Sequence, residues 1–408
     1  MNEEKKFLIL DIDGVLLEPH GYRAGCIDTV NDFLSKLGQP FLSIDKTIPE
    51  ALEAAGITAE WDMIPLILAA FVNWYYQLFP QPSSCSDFPV PLGNEIIKDN
   101  QVFYQMLLEK ILDYQHMLDP NQTPIISIYH FLSCNEGKGL ERLWKLPIRD
   151  RFFVDTLNPW KCQFFAQLMN RLLGADKFET FYGLKPLVNC DSYLETMDRL
   201  LISEHYRSLL PKITEKSFFP AVMTYRPTRL PSANGNKDSK YFVNTPEGEC
   251  AMNLLSWSDG DVPMIGAGSL CFIEEKYNLR REYYVKPHPF HALASIMISL
   301  CKDEIQALET ARSLCELDPE KDDIPTGLWI KPGESIKIMV FEDSVSGINS
   351  VKNAAAILNK WGIHTQPILC GIRSTKAKDA LLKETGADLY ANINEALDSV
   401  FKQYTLKE

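Results

Sequence analysis

Two carboxylates stand at the end of the first apolar run of the chain, where they could share a divalent cation. Asp11 and Asp13 follow residues 7–10 and precede Gly14. Two acids that converge on one point cannot both ionise cheaply unless a cation joins them. Oxygen ligands of this kind suit a hard ion such as Mg²⁺. Taken alone, the segment is equally consistent with a strand-end turn in which an aspartate is only a cap.

A second acid pair has the same setting. Glu342 and Asp343 follow the apolar run 336–341 and precede Ser344 and an amphipathic helix pattern. Two acids at the end of a buried strand again favour a cation site over an anion site. The alternative is that Asp343 or Ser344 serves only as the N-cap of the helix.

A hydroxyl and a fixed cation follow another apolar run, residues 218–223. Thr224, Tyr225 and Arg226 form this segment. A threonine hydroxyl and backbone N–H groups can donate to a phosphate oxygen, and arginine adds charge-assisted bonds. We therefore predict a phosphate-binding segment here, although a threonine at this position could merely begin a turn.

Lys286 follows the short apolar run 283–285 and is held by two nearby prolines, Pro287 and Pro289. A lysine restrained in this way can act as a placed charge, whereas most isolated lysines are solvated surface residues. This residue is the fourth candidate for a charged site.

The apolar residues of the elements that must position these side chains follow two different patterns along the chain. Between about residues 18 and 215 the apolar residues recur at helical spacing, which predicts an all-helical body. Before and after it, short apolar runs alternate with helical patterns, which predicts a parallel sheet with helices on both faces. Ligands of such sheets bind beyond the carboxyl ends of the strands. The predicted strands are residues 7–10, 218–223, 262–265, 283–285, 336–341 and 367–370.

Composition narrows the classes of function. The 408 residues carry a formal charge of −13, which gives no electrostatic reason to expect a nucleic-acid partner. The apolar stretch 63–79 contains Pro65 and Asn73 and falls short of the ~20 residues of a membrane span. We predict a buried helix there and no membrane contact. The closest two of the ten cysteines are fourteen positions apart, so a zinc knuckle is not expected.

The first six residues, Met-Asn-Glu-Glu-Lys-Lys, are mostly charged or polar and only four apolar residues follow them, which does not fit a secretory signal. The sequence therefore predicts a cytoplasmic protein. The polar segment 231–248 is predicted to be a loop.

The four motifs, in this order along the chain, resemble those of the haloacid dehalogenase (HAD) superfamily. The resemblance covers residues 1–17 and 216–408 and is greatest to the subgroup of β-phosphoglucomutase and phosphoglycolate phosphatase. It implies an α/β, HAD-like Rossmannoid core formed by those two segments. It also implies that residues 18–215 are an enlarged helical cap, inserted after the first strand.

The resemblance also implies a role for each acid. Asp11 would be the nucleophile that forms an aspartyl phosphate, and a Mg²⁺ ligand. Asp13 would be the general acid and base, with its backbone carbonyl as a further metal ligand. Asp343 would bind Mg²⁺ directly, and Glu342 directly or through water. An acid at position 13 disfavours dehalogenation, because dehalogenases lack it.

The remaining motif residues would handle the phosphoryl group. Thr224 would hold it, with Tyr225 and Arg226 as further substrate contacts, and Lys286 would offset charge on Asp11 and on the phosphoryl oxygens. The resemblance thus predicts a Mg²⁺-dependent phosphatase acting on a small phosphorylated metabolite. A phosphomutase or other phosphotransferase would use the same motifs, and a catalytically idle binding protein is an alternative of another class. The sequence determines neither the substrate nor the oligomeric state.

Overall fold

A computed structural model describes residues 4–80, 89–119, 122–231, 244–257, 261–280 and 282–404. Most of the predicted loop 231–248, residues 232–243, lies outside the described residues. The described chain forms two compact units. The first comprises residues 1–19 and 198–408, and the second comprises residues 20–197.

The strands of the first unit form one parallel sheet and one short antiparallel pair. Their bounds are β1 (Lys5–Leu10), β2 (Leu17–Glu18), β3 (Arg199–Leu200), β4 (Phe218–Met223), β5 (Met264–Ile265), β6 (Ser335–Glu342), β7 (His364–Ile372) and β8 (Asp388–Tyr390). The parallel sheet has the order β5-β4-β1-β6-β7-β8, and β2 pairs with β3.

This order places β1 at the centre, where the direction of winding reverses. Successive strands add outwards on one side through β4 and β5, and on the other side through β6, β7 and β8. In register, Leu10 of β1 pairs with Val222 of β4 and with Phe341 of β6. In doubly wound sheets, ligands bind beyond the carboxyl ends of the strands at such a switch point. The three segments that follow β1, β4 and β6 are those with the predicted acids and hydroxyl.

The second unit is helical in its described part. Its helices are α1 (His20–Lys36), α2 (Thr47–Ala54), α3 (Glu60–Leu78), α4 (Asn100–Gln115), α5 (Pro124–Cys134), α6 (Glu141–Trp144), α7 (Gln163–Leu173), α8 (Ala175–Tyr182) and α9 (Tyr193–Thr196), with a 3₁₀ helix at Arg149–Phe152.

The predicted buried helix at 63–79 corresponds to α3, most of which is buried. Its polar Asn73 is accommodated because the side-chain oxygen accepts hydrogen bonds from the backbone N–H groups of Arg142, at 2.9 Å, and Leu143, at 3.2 Å. Among the described residues, no helix has both the length and the apolar character needed to cross a membrane.

Helices of the first unit cover both faces of the sheet. They are α10 (Glu204–Leu209), α11 (Glu247–Leu254), α12 (Ala267–Lys276), α13 (Pro289–Cys301), α14 (Glu304–Glu316), α15 (Val345–Lys360), α16 (Lys376–Glu384) and α17 (Ile393–Tyr404), with a 3₁₀ helix at Leu210–Lys216.

Strand alternation supplies the two cores between sheet and helices. Phe7 and Ile9 of β1 pack in one core with α13, α14 and α15. Leu8 and Leu10 pack in the other with α10, α11 and α17. Strands buried on both faces explain why the sequence shows continuous apolar runs and not alternation.

The boundary between the units differs from the expected one. The sequence pattern suggested a helical body of 18–215, whereas residues 198–215 pack within the first unit. Ile202, Tyr206 and Leu210 join the core beneath the sheet. Helical periodicity cannot distinguish a helix of one unit from a helix of the other. The sequence pattern therefore could not locate the boundary between the two units.

One predicted strand is wrong. Residues 283–285 form a turn and an irregular segment, so Lys286 does not follow a strand. The backbone N–H groups of Glu282 and Tyr284 donate to the Glu274 carboxylate, each at 3.1 Å, and not to a neighbouring strand. The Tyr284 ring stacks on Phe290 at 4.0 Å, which accounts for the apolar character that suggested a strand.

Candidate functional site

Asp11 lies directly beyond β1, at the centre of the sheet. Its backbone N–H donates to the carbonyl of Phe341 at 3.1 Å, which ties the end of β1 to the end of β6. Its side chain is only 12% exposed. The register of β1 and β6 therefore brings the first acid motif next to the second.

Lys286 connects these two motifs. Its Nζ donates to Asp11 Oδ1 at 3.1 Å, to Glu342 Oε1 at 2.8 Å and to the Met223 carbonyl at 3.0 Å. Burial alone would lower the pKa of this ammonium, but the Asp11 and Glu342 carboxylates outweigh burial and hold the pKa above its ordinary value. Lys286 is thus a fixed positive charge, and it comes from a loop and not from the end of a strand.

The second acid motif lies at the end of β6 and the start of α15. Glu342 is fully buried, and its Oε2 accepts from the backbone N–H of Ser344 at 2.8 Å. Ser344 is the N-cap of α15, since its hydroxyl accepts from Gly347 N–H at 3.2 Å. The helix therefore needs no capping bond from Asp343, whose carboxylate is turned towards the other acids. Asp11, Glu342 and Asp343 each offer an oxygen within 4.8 Å of the other two.

Two glycines permit this close approach. Gly14 has φ +76°, and a Cβ there would lie 2.7 Å from Asp343 Oδ2. A Cβ at Gly347 would lie 1.6 Å from Glu342 Oε1. Space for carboxylates therefore explains both glycines, and the positive φ is a second reason for glycine at position 14.

Burial and crowding raise the pKa of two of these carboxylates, Asp11 and Asp343. Burial raises the pKa of Asp11 well above its ordinary value, Lys286 lowers it, and Glu342, Asp13 and Asp343 raise it further. Burial also raises the pKa of Asp343, with Lys378 acting in the opposite direction and Glu342 in the same one. A bound cation would lower these pKa values by stabilising the ionised forms.

Asp13 faces a different cation. Arg226 donates from Nε to both carboxylate oxygens of Asp13, at 3.0 and 3.1 Å, and from Nη2 to Oδ1 at 2.5 Å. The same Nη2 donates to Asp198 Oδ2 at 2.8 Å. The sequence assigned Arg226 to the substrate, whereas in the structure its guanidinium lies between two carboxylates.

Thr224 and Tyr225 differ in their setting. Thr224 is almost fully buried, its backbone N–H donates to the Ile265 carbonyl at 3.1 Å, and its hydroxyl oxygen accepts from Arg226 N–H at 3.1 Å. The hydroxyl hydrogen is left to donate to another group. Tyr225 is 44% exposed, and its hydroxyl donates to Glu282 Oε1 at 3.2 Å.

Two charged residues were not anticipated. Asp198, the buried partner of Arg226, lies within a stretch whose helical pattern gave no sign of a site. Lys378 lies in the first turn of α16, and its Nζ donates to Asp343 Oδ2 at 3.1 Å. The polar residues after β7 were a usable signal for Lys378, because that strand ends at the same edge of the sheet as β6.

Two histidines near Lys286 have local structural roles. His288 caps α13, its Nδ1 accepting from Phe290 N–H at 3.2 Å. His291 is fully buried with Nε2 3.0 Å from the Ile265 carbonyl, and burial lowers its pKa to about 3. A neutral ring donating to that carbonyl supports the end of β5 from beneath.

No protein-family model and no curated protein matches this chain. Among solved structures, it is similar to an X-ray structure of a Northeast Structural Genomics Consortium target, with a TM-score of 0.59 and 14% sequence identity. The match covers 98% of this chain and 99% of that chain. That protein is described only as a structural genomics target, so the likeness concerns the fold and not the chemistry. The α/β class with a six-stranded parallel sheet is thereby confirmed.

Proposed function

We propose that this protein is a Mg²⁺-dependent phosphohydrolase of the HAD type, which acts on a small phosphorylated metabolite. In this proposal residues 20–197 correspond to the helical cap. The observation that carries it is the cluster of Asp11, Lys286, Glu342 and Asp343 at the carboxyl ends of β1 and β6. Three motifs from distant parts of the chain supply that cluster.

Asp11 is the nucleophile of the proposed reaction. One carboxylate oxygen attacks phosphorus, the bond from phosphorus to the ester oxygen breaks, and an aspartyl phosphate forms. Water then attacks phosphorus, which releases inorganic phosphate and restores the carboxylate. The hydrogen bond from Lys286 to Oδ1 fixes the orientation of this carboxylate before substrate arrives.

The donor set fits Mg²⁺. Asp11, Glu342 and Asp343 supply hard carboxylate oxygens close enough to share one ion. Both Glu342 oxygens already accept hydrogen bonds, from Lys286 and from Ser344 N–H, so we assign the direct contacts to Asp11 and Asp343. When bound, the ion supplies the positive charge that lets an anionic carboxylate approach an anionic phosphate.

Protein groups provide the other charges and protons. Lys286 faces Asp11 and would also face the phosphoryl oxygens, and the Thr224 hydroxyl donates to one of them. Asp13, in its protonated form, gives its proton to the leaving oxygen and later regains one from the attacking water, which restores that form. The carbonyl of Asp13 stays assigned to the metal only by the resemblance.

The test is the hydrolysis of p-nitrophenyl phosphate with Mg²⁺ and with EDTA. We expect metal-dependent phosphate release that Asp11→Asn abolishes. The matched control is Glu334→Gln, which removes one carboxylate from an ion pair with Lys5 at the opposite end of the sheet, 2.5 Å from Nζ, and should retain activity.

The alternatives give different results in the same assay. A phosphomutase would form a phosphoenzyme on Asp11 that base and hydroxylamine cleave, but it would release phosphate slowly unless a hydroxylated acceptor is added. A binding protein would show no turnover in any variant. Metal-dependent turnover that persists in Asp11→Asn would refute the proposed nucleophile.

A further inference from the structure

Arg226 is the most enclosed cation of the site. Its side chain is 1% exposed, and it contacts Asp198, which is 0% exposed, and Asp13, which is 37% exposed. One guanidinium thus joins a fully buried carboxylate to one that reaches solvent. The two carboxylates can therefore have different roles although they share a partner.

The contact with Asp13 is directional. Nε and Nη2 both donate to the carboxylate, so the planar guanidinium binds it along one edge. Such a two-point contact fixes orientation as well as distance, which a lysine cannot do. Asp198 accepts from the same Nη2 at 2.8 Å and holds the guanidinium in place.

The backbone around these residues is tied together. Leu17 and Glu18 of β2 pair with Leu200 and Arg199 of β3, immediately after Asp198. The turn that begins at Asp13 closes through Gly14 N–H, which donates to the Leu17 carbonyl at 2.8 Å. The Asp13 turn and the Asp198 segment are therefore braced against each other.

Arg226 also contacts Thr224 within its own segment, because its backbone N–H donates to the Thr224 hydroxyl oxygen at 3.1 Å. A residue bound at once to Asp13, Asp198 and Thr224 has its position determined from three sides. Its charge is directed at carboxylates, which differs from the substrate contact expected from the sequence.

We propose that Arg226, held by the buried Asp198, is a positioning residue that fixes the Asp13 carboxylate for proton transfer and is not a phosphate ligand. This inference rests on the proposed function. Asp198 keeps the guanidinium in place and partly neutralised. Oδ1 of Asp13 can therefore keep its bonds from Nε and Nη2 while Oδ2, once protonated, turns to the leaving oxygen.

The inference makes a specific prediction about leaving groups. General acid catalysis helps only when the departing oxygen needs a proton. Misplacing Asp13 should therefore slow the hydrolysis of an alkyl phosphate and leave the hydrolysis of dinitrophenyl phosphate nearly unchanged. A loss of phosphate binding would instead slow both esters and raise KM for both.

The test compares Arg226→Lys and Asp198→Asn with wild type on these two esters at saturating Mg²⁺. For Arg226→Lys we expect kcat on the alkyl phosphate to fall roughly 100-fold, and kcat on dinitrophenyl phosphate less than about 5-fold, with KM little changed. Asp198→Asn keeps an acceptor for Nη2 and should show the same selectivity to a smaller extent. Glu334→Gln is the matched control.

Folding is checked separately, because a buried charge is altered. The double variant Asp198→Asn with Arg226→Gln keeps a hydrogen-bonded pair without charge, and its melting curve and ester selectivity are measured together. Selective loss on the alkyl phosphate in a variant that melts like wild type supports the positioning role.

Three results would overturn this inference but not the proposed function. They are an equal loss of kcat on both esters, a raised KM, and alkyl-phosphate turnover that is unchanged or faster. Wild type without turnover, or turnover independent of Asp11, would overturn the proposed function and this inference with it.

Discussion

Replacing Lys286 by methionine should strongly destabilise the first unit and strongly reduce turnover. Methionine keeps most of the volume of the lysine stem but removes the ammonium group. The bonds lost are those to Asp11 Oδ1 at 3.1 Å, Glu342 Oε1 at 2.8 Å and the Met223 carbonyl at 3.0 Å. Two buried carboxylates would then face each other without their shared cation.

The magnitude follows from that geometry. Removing one partner of a buried ion pair costs about 3–5 kcal/mol of unfolding free energy, because the remaining charge stays buried. The first unit has about 230 residues, for which each kcal/mol shifts the melting temperature by about 2–4 °C. We therefore expect the melting temperature of this unit to fall by roughly 10 °C. Catalysis should fall by about 100-fold or more, the usual effect of losing a group that stabilises the transition-state charge.

Differential scanning calorimetry in EDTA resolves the transition and keeps metal binding out of the comparison. The control is Lys276→Met, which breaks a more exposed pair with Glu309, 2.5 Å from Nζ, and should change little. Adding Asp11→Asn to Lys286→Met should restore part of the lost stability, because it removes one unpaired charge. If Lys286→Met melts like Lys276→Met, or if Asp11→Asn restores nothing, the electrostatic account of this site is refuted.

Two further outcomes are expected. Because the pKa of Asp11 is raised by burial, the folded protein keeps a proton that the unfolded chain releases near 3.8. Metal-free wild type should therefore lose stability as the pH rises above that value, and Asp11→Asn should flatten the slope of melting temperature against pH. A slope that is the same in both proteins would contradict this. Gly347→Ala would place a Cβ 1.6 Å from Glu342 Oε1, so Glu342 must move. Mg²⁺-dependent turnover should then fall by about tenfold or more, and wild-type rates in this variant would show that the position of Glu342 is unimportant.

The fold class and the segments that follow β1, β4 and β6 could be predicted because they are encoded locally. Strands 218–223 and 336–341 are continuous apolar runs that end abruptly in polar residues, and the structure places β4 and β6 at those positions. The parallel order then brings the strand ends together. Chain order along the sequence was therefore sufficient to group Asp11 with Asp343.

What could not be predicted depends on contacts between distant parts of the chain. Tyr284 looked like part of a strand because it is buried, yet its backbone is satisfied by the Glu274 carboxylate, which no local pattern reveals. Arg226 looked like a phosphate ligand because arginine commonly is one. No local pattern shows that Asp198, 28 positions away, lies beside it.

The charges of the site suggest why both cations are shared between carboxylates. Lys286 forms ion pairs with Asp11 and Glu342, and Arg226 forms ion pairs with Asp13 and Asp198. Each of these two cations is therefore paired with two carboxylates. Lys378 adds one more positive charge at Asp343. With every group ionised, five carboxylates face three cations, and the excess of two negative charges equals the charge of one Mg²⁺. Protons can balance that excess in part when the ion is absent, which is consistent with the raised pKa of Asp11 and of Asp343. In the proposed function the same excess would attract the ion and, once neutralised by it, would no longer repel an incoming phosphate.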